Sequence, residues 1–237
     1  MAAVSDVHSP RYFALFQKAL SEFEWDEVKL FIMAGDMVLK GRAREYGRVI
    51  NAVRERYKGE MVAVFGNEEY EEVEEAILKD YGEEVRWLND EGVCFKLDGL
   101  QVFIYGTRGV LDTPTPWQRK HIPDIGFRYE RRLQEMIKWL EEVRDKGDLL
   151  IVVSHYAVTY KTMIGERKSI WPMLGSKRVE EALLRSGVDI AIHGHVHGSK
   201  VIKTNVGKVK IYNVALMAVG GITKIELKKS KDITSYF

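Results

Sequence analysis

Short apolar runs alternate along the chain with segments whose apolar residues recur at helical spacing. Met1–Val4 is predicted as a short strand ending at Ser5-Asp6. In Arg11–Phe23, Phe13, Phe16, Ala19, Leu20 and Phe23 fall on one helical face. Val28–Ala34 reads as a strand that runs into Gly35-Asp36, and Ala43–Tyr57 as a helix with Tyr46, Val49, Ile50 and Val53 on one side. Met61–Phe65 is a strand that stops at Gly66-Asn67. Glu69–Tyr81 is a helix whose acidic start suits the positive end of the helix dipole.

The second half has a different rhythm. Gly92–Leu97 and Leu100–Tyr105 flank Asp98-Gly99, a pair suited to a tight hairpin turn with positive φ. Thr107–Gly126, with Pro114, Pro116 and Pro123, is expected to be a loop, and Phe127–Lys146 a long amphipathic helix ended by Gly147. Leu149–Val153 is a strand ending at Ser154-His155, Ala157–Gly175 is irregular, and Lys177–Ser186 is helical. Asp189–Ile192 leads into His193-Gly194-His195-Val196-His197. Lys200–Thr204, Lys208–Asn213 and Ile222–Leu227 complete the predicted strands. The first half predicts β-α units on a parallel sheet and the second adds hairpins. The expectation is an α/β domain spanning 1–237, with two mixed sheets packed face to face and helices outside.

Composition narrows the class. The 237 residues are 46% hydrophobic and 30% charged, which suits a globular chain large enough for a core of its own. A net charge of +1 speaks against a broad nucleic-acid footprint. The lone Cys94 permits no internal disulfide, which fits a reducing cytoplasm, and its apolar neighbours predict a buried small side chain. No apolar run is long enough to span a bilayer, and the N-terminus lacks a secretory pattern.

The strand ends carry the chemistry. In open α/β sheets, ligands bind beyond the carboxyl ends of the strands. There the chain places Asp6 and His8, Asp36, Asn67, His155, then His195 and His197. Asp6-x-His8 and His195-x-His197 are i, i+2 pairs, which point the same way in extended backbone. Four of the six histidines belong to this series. Carboxylate, imidazole and amide donors together suit Mn²⁺, Fe, Zn²⁺ or Ni²⁺ better than Ca²⁺ or Mg²⁺.

The ordered series Asp6-x-His8, Gly35-Asp36, Gly66-Asn67, Ser154-His155 and Gly194-His195-x-His197 resembles the calcineurin-like metallophosphoesterase superfamily. The resemblance implies a four-layer αββα sandwich and a dinuclear metal site. It implies that Asp6, His8 and His197 hold one ion, that Asn67, His155 and His195 hold the other, and that Asp36 bridges them. It also implies hydrolysis of a phosphate ester by a metal-bridging hydroxide, with catalytic roles at Asp36, Asn67 and His155.

One position departs from the pattern. The family's histidine after Gly-Asn is Glu68 here, followed by Glu69. An ionised glutamate is neither a proton donor nor a cation, so Glu68 serves as the acid only with a raised pKa. The plainer reading starts the next helix there. Relatives lacking that histidine lean to phosphodiesters, so the resemblance points to a small phosphodiester or a nucleotide.

Arg108, Tyr156 and Lys161 are candidate substrate contacts, within two segments that also carry Trp117, Arg119, Lys120, His121, Tyr160, Arg167 and Trp171. The alternatives are a non-catalytic scaffold, as in the retromer subunit of the same fold, and a nuclease. His193 is read as structural, His121 as solvent-facing, and Asn213-Val214-Ala215 as a strand-end turn. Oligomeric state is open.

Overall fold

The computed structural model describes residues 1–227. Residues 228–237, which the expected 1–237 domain includes, lie outside the described residues. Eleven strands among the described residues form two sheets. The first holds β1 (Ala2–Val4), β2 (Leu30–Ala34), β3 (Glu60–Val64), β4 (Arg86–Trp87) and β11 (Thr223–Lys224), in the order β11-β1-β2-β3-β4. β1 to β4 run parallel and β11 pairs antiparallel with β1. The second holds β5 (Glu91–Leu97), β6 (Leu100–Thr107), β7 (Leu149–Ser154), β8 (Ile190–His193), β9 (Lys203–Val206) and β10 (Val209–Asn213), in the order β5-β6-β7-β8-β10-β9.

Three apolar clusters define four layers. Between the sheets, Ile32, Ala34, Val62 and Val64 of the first meet Ile104, Ile151, Val153 and Ile192 of the second, all fully buried. The other face of the first sheet packs on α1 (Phe13–Glu22), α2 (Glu45–Arg54) and α3 (Glu71–Tyr81) through Phe16, Tyr46, Val49 and Ile77. The other face of the second packs on α5 (Ile125–Val143) and α6 (Lys177–Arg185) through Leu133, Leu140 and Leu183. The central strands are buried on both faces, which is why they read as unbroken apolar runs. This is the expected αββα sandwich of two mixed sheets.

The differences have local causes. β1 has three residues, yet it is wholly buried and hydrogen-bonded on both edges, so its neighbours supply what its length does not. The expected loop over residues 107–126 contains α4 (Pro116–His121). Its signal was in the sequence: Thr115 and Gln118 form a capping box, with Pro116 at the first helical position. The irregular stretch 157–175 holds two 3₁₀ turns, and α7 (Leu216–Val219) and β4 are further short elements beyond the expected set. Cys94 is exposed rather than buried, because β5 is an edge strand and turns that residue outward. The hairpin turn is as expected, with φ of 50° at Asp98 and 83° at Gly99. Among the described residues no helix is long and apolar enough to cross a membrane.

Candidate metal centre

β1, β2, β3, β7 and β8 all end at one edge of the sandwich, and the seven predicted ligands come from the turns that follow them. The backbone of these turns is laced together. Asp6 N–H donates to Gly35 O at 3.0 Å, and His8 N–H to Asp36 O at 2.9 Å. Asp6, His8, Asp36 and His195 have φ of 60°, 44°, 52° and 68°, a region that costs a side-chain-bearing residue energy. Four such residues at one site mean that the surrounding contacts hold each turn in place. Gly35 has φ of 85°, as a sharp turn requires, whereas Gly66 and Gly194 owe their place to close approach. A Cβ at Gly66 would collide with Asp36, and one at Gly194 with Ser5 and Asp6.

Two groups of ligand atoms result. Asp6, His8 and His197 form one, and Asp36, His155 and His195 the other; within each, the ligand atoms lie within 4.8 Å of one another. In the first, His197 Nε2 is 2.8 Å and His8 Nε2 3.7 Å from Asp6 Oδ1. In the second, His155 Nε2 is 3.4 Å from Asp36 Oδ2 and 3.1 Å from Asn67 Oδ1. Asp36 Oδ2 is also 4.0 Å from His8 Nε2, so this one oxygen faces both groups. Asp6, His8, Asp36 and His155 are buried.

The donor set fits divalent ions. His155 Nδ1 donates to Ala34 O at 3.1 Å, which turns Nε2 towards Asn67 and Asp36. A neutral imidazole there would set its lone pair against the Asn67 oxygen. A second proton on Nε2, or a cation between them, would satisfy both atoms. Burial works against charge on His155, but Asp36 and Asp6 outweigh it and push its pKa up to about 9. Burial likewise opposes ionisation of Asp6 and Asp36, yet the histidines around them hold both below the usual carboxylate range. Carboxylates facing imidazole nitrogens are a donor set that could hold divalent ions.

Supporting groups complete the centre, and the sequence pointed to few of them. Glu69 is fully buried and accepts from the N–H groups of Asp36 (2.8 Å), Gly66 (2.7 Å) and Val38 (3.1 Å) and from Tyr46 O–H (2.9 Å). It therefore clamps the turns that carry Asp36 and Asn67. Burial, then the Asp36 charge, push its pKa up to about 7. Ser5 Oγ and His195 N–H both donate to Asp6 Oδ2, at 2.5 and 2.8 Å. Asn213 does more than make a turn: its Nδ2 donates to Val196 O at 2.8 Å and pins the loop that presents His195 and His197. His193 is structural, as expected, with Nδ1 on Gly194 O and Nε2 on Thr162 Oγ1, both 2.8 Å.

Glu68 does not begin the next helix, because α3 starts at Glu71. Its N–H donates to Asp36 Oδ1 and its carboxylate accepts from Lys40 N–H, both at 2.7 Å. The residue thus closes the loop after β2 over Asp36.

A cleft of about 880 Å³ opens from Asn67 and His195 and runs out between α3, α4 and the start of α5. Arg108 and Tyr156 line it. Arg108 is committed to the protein, donating to Glu74 Oε1 at 2.5 Å and Glu69 O at 2.8 Å. Tyr156 packs edge-on to His195 at 4.9 Å and receives a hydrogen bond from Gln118 Nε2 at 3.1 Å. Lys161 lies apart from the lining residues, its Nζ donating to Asn205 O at 3.1 Å. Trp117 and His121 line the cleft and are exposed. The 157–175 segment instead buttresses the histidine loop, where Ala157, Met163, Tyr160 and Trp171 pack on Val196.

Residues 1–199 match the family model described as calcineurin-like phosphoesterase, and the chain belongs to that family. Among curated protein sequences no relative matches it. Solved structures share the fold at low identity. The phosphopantetheinyl hydrolase PptH of Mycobacterium tuberculosis is 15% identical, with a TM-score of 0.67 over 90% of this chain and 88% of its own. GAP50 of Plasmodium, described as the anchor in the inner membrane complex, is 12% identical, with a TM-score of 0.60 over 92% and 71%. A dimetal phosphatase from Danio rerio is 13% identical, with a TM-score of 0.54 over 90% and 85%.

Proposed function

We propose that the protein is a dinuclear metal-dependent phosphodiesterase acting on a small phosphodiester, with manganese or another divalent transition metal as its cofactor. The observation that carries this is the position of Asp36 Oδ2, 3.4 Å from His155 Nε2 and 4.0 Å from His8 Nε2, in one group with His195, which lines the cleft. Asp6, His8 and His197 would hold one ion, and Asn67, His155 and His195 the other, with Asp36 between. Bound there, two divalent ions supply activated water and neutralise phosphate oxygens.

The chain's own groups do the positioning. Glu69 and Glu68 fix Asp36, and Ala34 O orients His155. A scaffold is free to lose ligands, and here all seven strand-end positions remain and converge.

The lean towards diesters rests on charge. The arginines lining the cleft are all paired: Arg108 with Glu74, Arg128 with Asp124 and Glu71, and Arg132 with Asp90. Glu68 stands beside the centre where the family pattern has histidine. A diester carries one negative charge and a monoester nearly two at neutral pH, so the diester suffers less beside that carboxylate. The test is hydrolysis of bis(p-nitrophenyl) phosphate against p-nitrophenyl phosphate by manganese-loaded protein. Higher kcat/KM on the diester is expected, and a clear monoester preference refutes the reading.

A further inference from the structure

The outer cleft contains a feature that phosphate chemistry alone does not require. Trp117 on α4 is 61% exposed, although it lines the cleft. Its ring stacks on that of His121, with centroids 4.8 Å apart and planes 29° from parallel. His121 Nδ1 bonds to Trp117 O at 2.9 Å, which fixes the imidazole against the indole. A large aromatic face is thus left in water, in a defined orientation, in the cleft that leads to the metal centre.

The face is tied to that centre. Gln118 Oε1 accepts from Thr115 N–H at 2.9 Å while Thr115 Oγ1 accepts from Gln118 N–H at 3.2 Å. The same side chain donates through Nε2 to Tyr156 O–H, and Tyr156 packs on His195. Trp117 is therefore one residue from an anchor that reaches a metal-ligand candidate through two contacts. That is how a stacking surface is held in register with a reacting group.

We infer that the Trp117–His121 pair is a stacking platform for the nucleobase of a nucleoside phosphodiester whose phosphate lies at the metal centre. The inference rests on the phosphodiesterase reading above and adds the substrate class. Three features of the cleft select this occupant. An indole face accepts any flat heteroaromatic ring, and the base covers surface now in water. Glu72, which also lines the cleft, offers a carboxylate acceptor suited to exocyclic amino groups and unsuited to further phosphates. The paired arginines leave no free guanidinium for a polyphosphate tail.

The test compares two ligands of equal charge, adenosine 5′-methylphosphate and dimethyl phosphate, as inhibitors of bis(p-nitrophenyl) phosphate hydrolysis by manganese-loaded protein. Base stacking predicts an inhibition constant roughly 5- to 100-fold lower for the nucleoside ester. In W117A that ratio falls towards one, and in W117F, which keeps a ring, most of it returns. A ratio near one in the wild type, or one unchanged in W117A, overturns the inference. A second arm needs no catalysis. Adenosine 5′-methylphosphate is mixed with manganese-loaded protein in a stopped-flow instrument while tryptophan fluorescence is followed before turnover. Saturable quenching that disappears in W117F is expected; its persistence there, or no quenching in the wild type, overturns the assignment. If the loaded wild type hydrolyses no diester, the proposed function fails, and the fluorescence arm still decides the platform.

Discussion

Glu69 provides a sharp test of how this site is held, because its role is visible in bonds and not in ligation. Glu69→Gln keeps the shape and replaces one oxygen by an amide NH₂. The two carboxylate oxygens serve different donors: Oε2 takes Asp36 and Gly66 N–H, and Oε1 takes Val38 N–H and Tyr46 O–H. The amide would turn its NH₂ to the Val38 side, where the tyrosine hydroxyl rotates to accept but Val38 N–H loses its partner. A stranded buried donor costs about 1–3 kcal/mol. Loss of the charge also relieves the burial cost that pushes Glu69 up to about 7, so the net loss stays near this range. For a chain of 237 residues, that corresponds to a fall in Tm of about 2–6 °C.

Glu69→Ala strands all four donors and leaves a void. Even with a water recovering some of the bonds, roughly 4–8 kcal/mol is lost, against a typical total stability of about 5–15 kcal/mol. Thermal and urea unfolding of the metal-free variants give the stability, and manganese titration gives the affinity. Glutamine should be the mild variant and alanine the severe one, with metal affinity falling in the same order, since both ligand turns loosen. The clamp argument is refuted if both variants unfold within about 0.5 kcal/mol of wild type, or if alanine is no worse than glutamine.

Other predictions follow from single contacts. Asp36→Asn removes the shared charge, so bound metal, measured by elemental analysis, should fall below two ions per chain and diester hydrolysis should be lost; full metal content with full activity would falsify the ligand assignment. With a pKa raised to about 9, His155 carries a second proton at pH 7.5 in metal-free protein. Manganese must displace that proton, so lightly buffered protein should acidify on metal addition, and a pH-independent, proton-neutral binding would refute this. The same shift gives metal-free protein stability that is full below about pH 6.5 and declines as pH rises through 9, a decline that metal loading removes. Cys94 on the edge strand should react with a thiol reagent in the native state at a rate near that of the urea-unfolded chain; strong protection would contradict its exposure.

The strand ends were legible because their apolar runs are buried on both faces. Such runs stop abruptly where a polar ligand begins, as Met61–Phe65 does before Gly66-Asn67. That property lets Asp6, His8, Asp36, Asn67, His155, His195 and His197 be read in order from the chain, and with them the layered fold. Cys94 misled because apolar neighbours say nothing of whether a strand lies at a sheet edge. α4 was hidden by its prolines, although its capping box is local and could have been read from Thr115 to Gln118. Glu68 could not be placed at all. Its bond to Lys40 N–H joins residues 28 apart in sequence, and only the approach of the β2 and β3 turns creates it.

By itself, then, the sequence determined which residues are the ligand candidates, since side-chain alternation and strand termination are local properties. Tertiary structure decided how those ligands are held and what the cleft faces. Glu69 gathers donors from 23 to 33 residues away, and Asn213 anchors a loop 17 residues back. The arginines of the cleft are neutralised by partners on other elements. Each of these depends on distances between segments that the chain brings together only when its sheets close on one core, and no local pattern encodes such a distance.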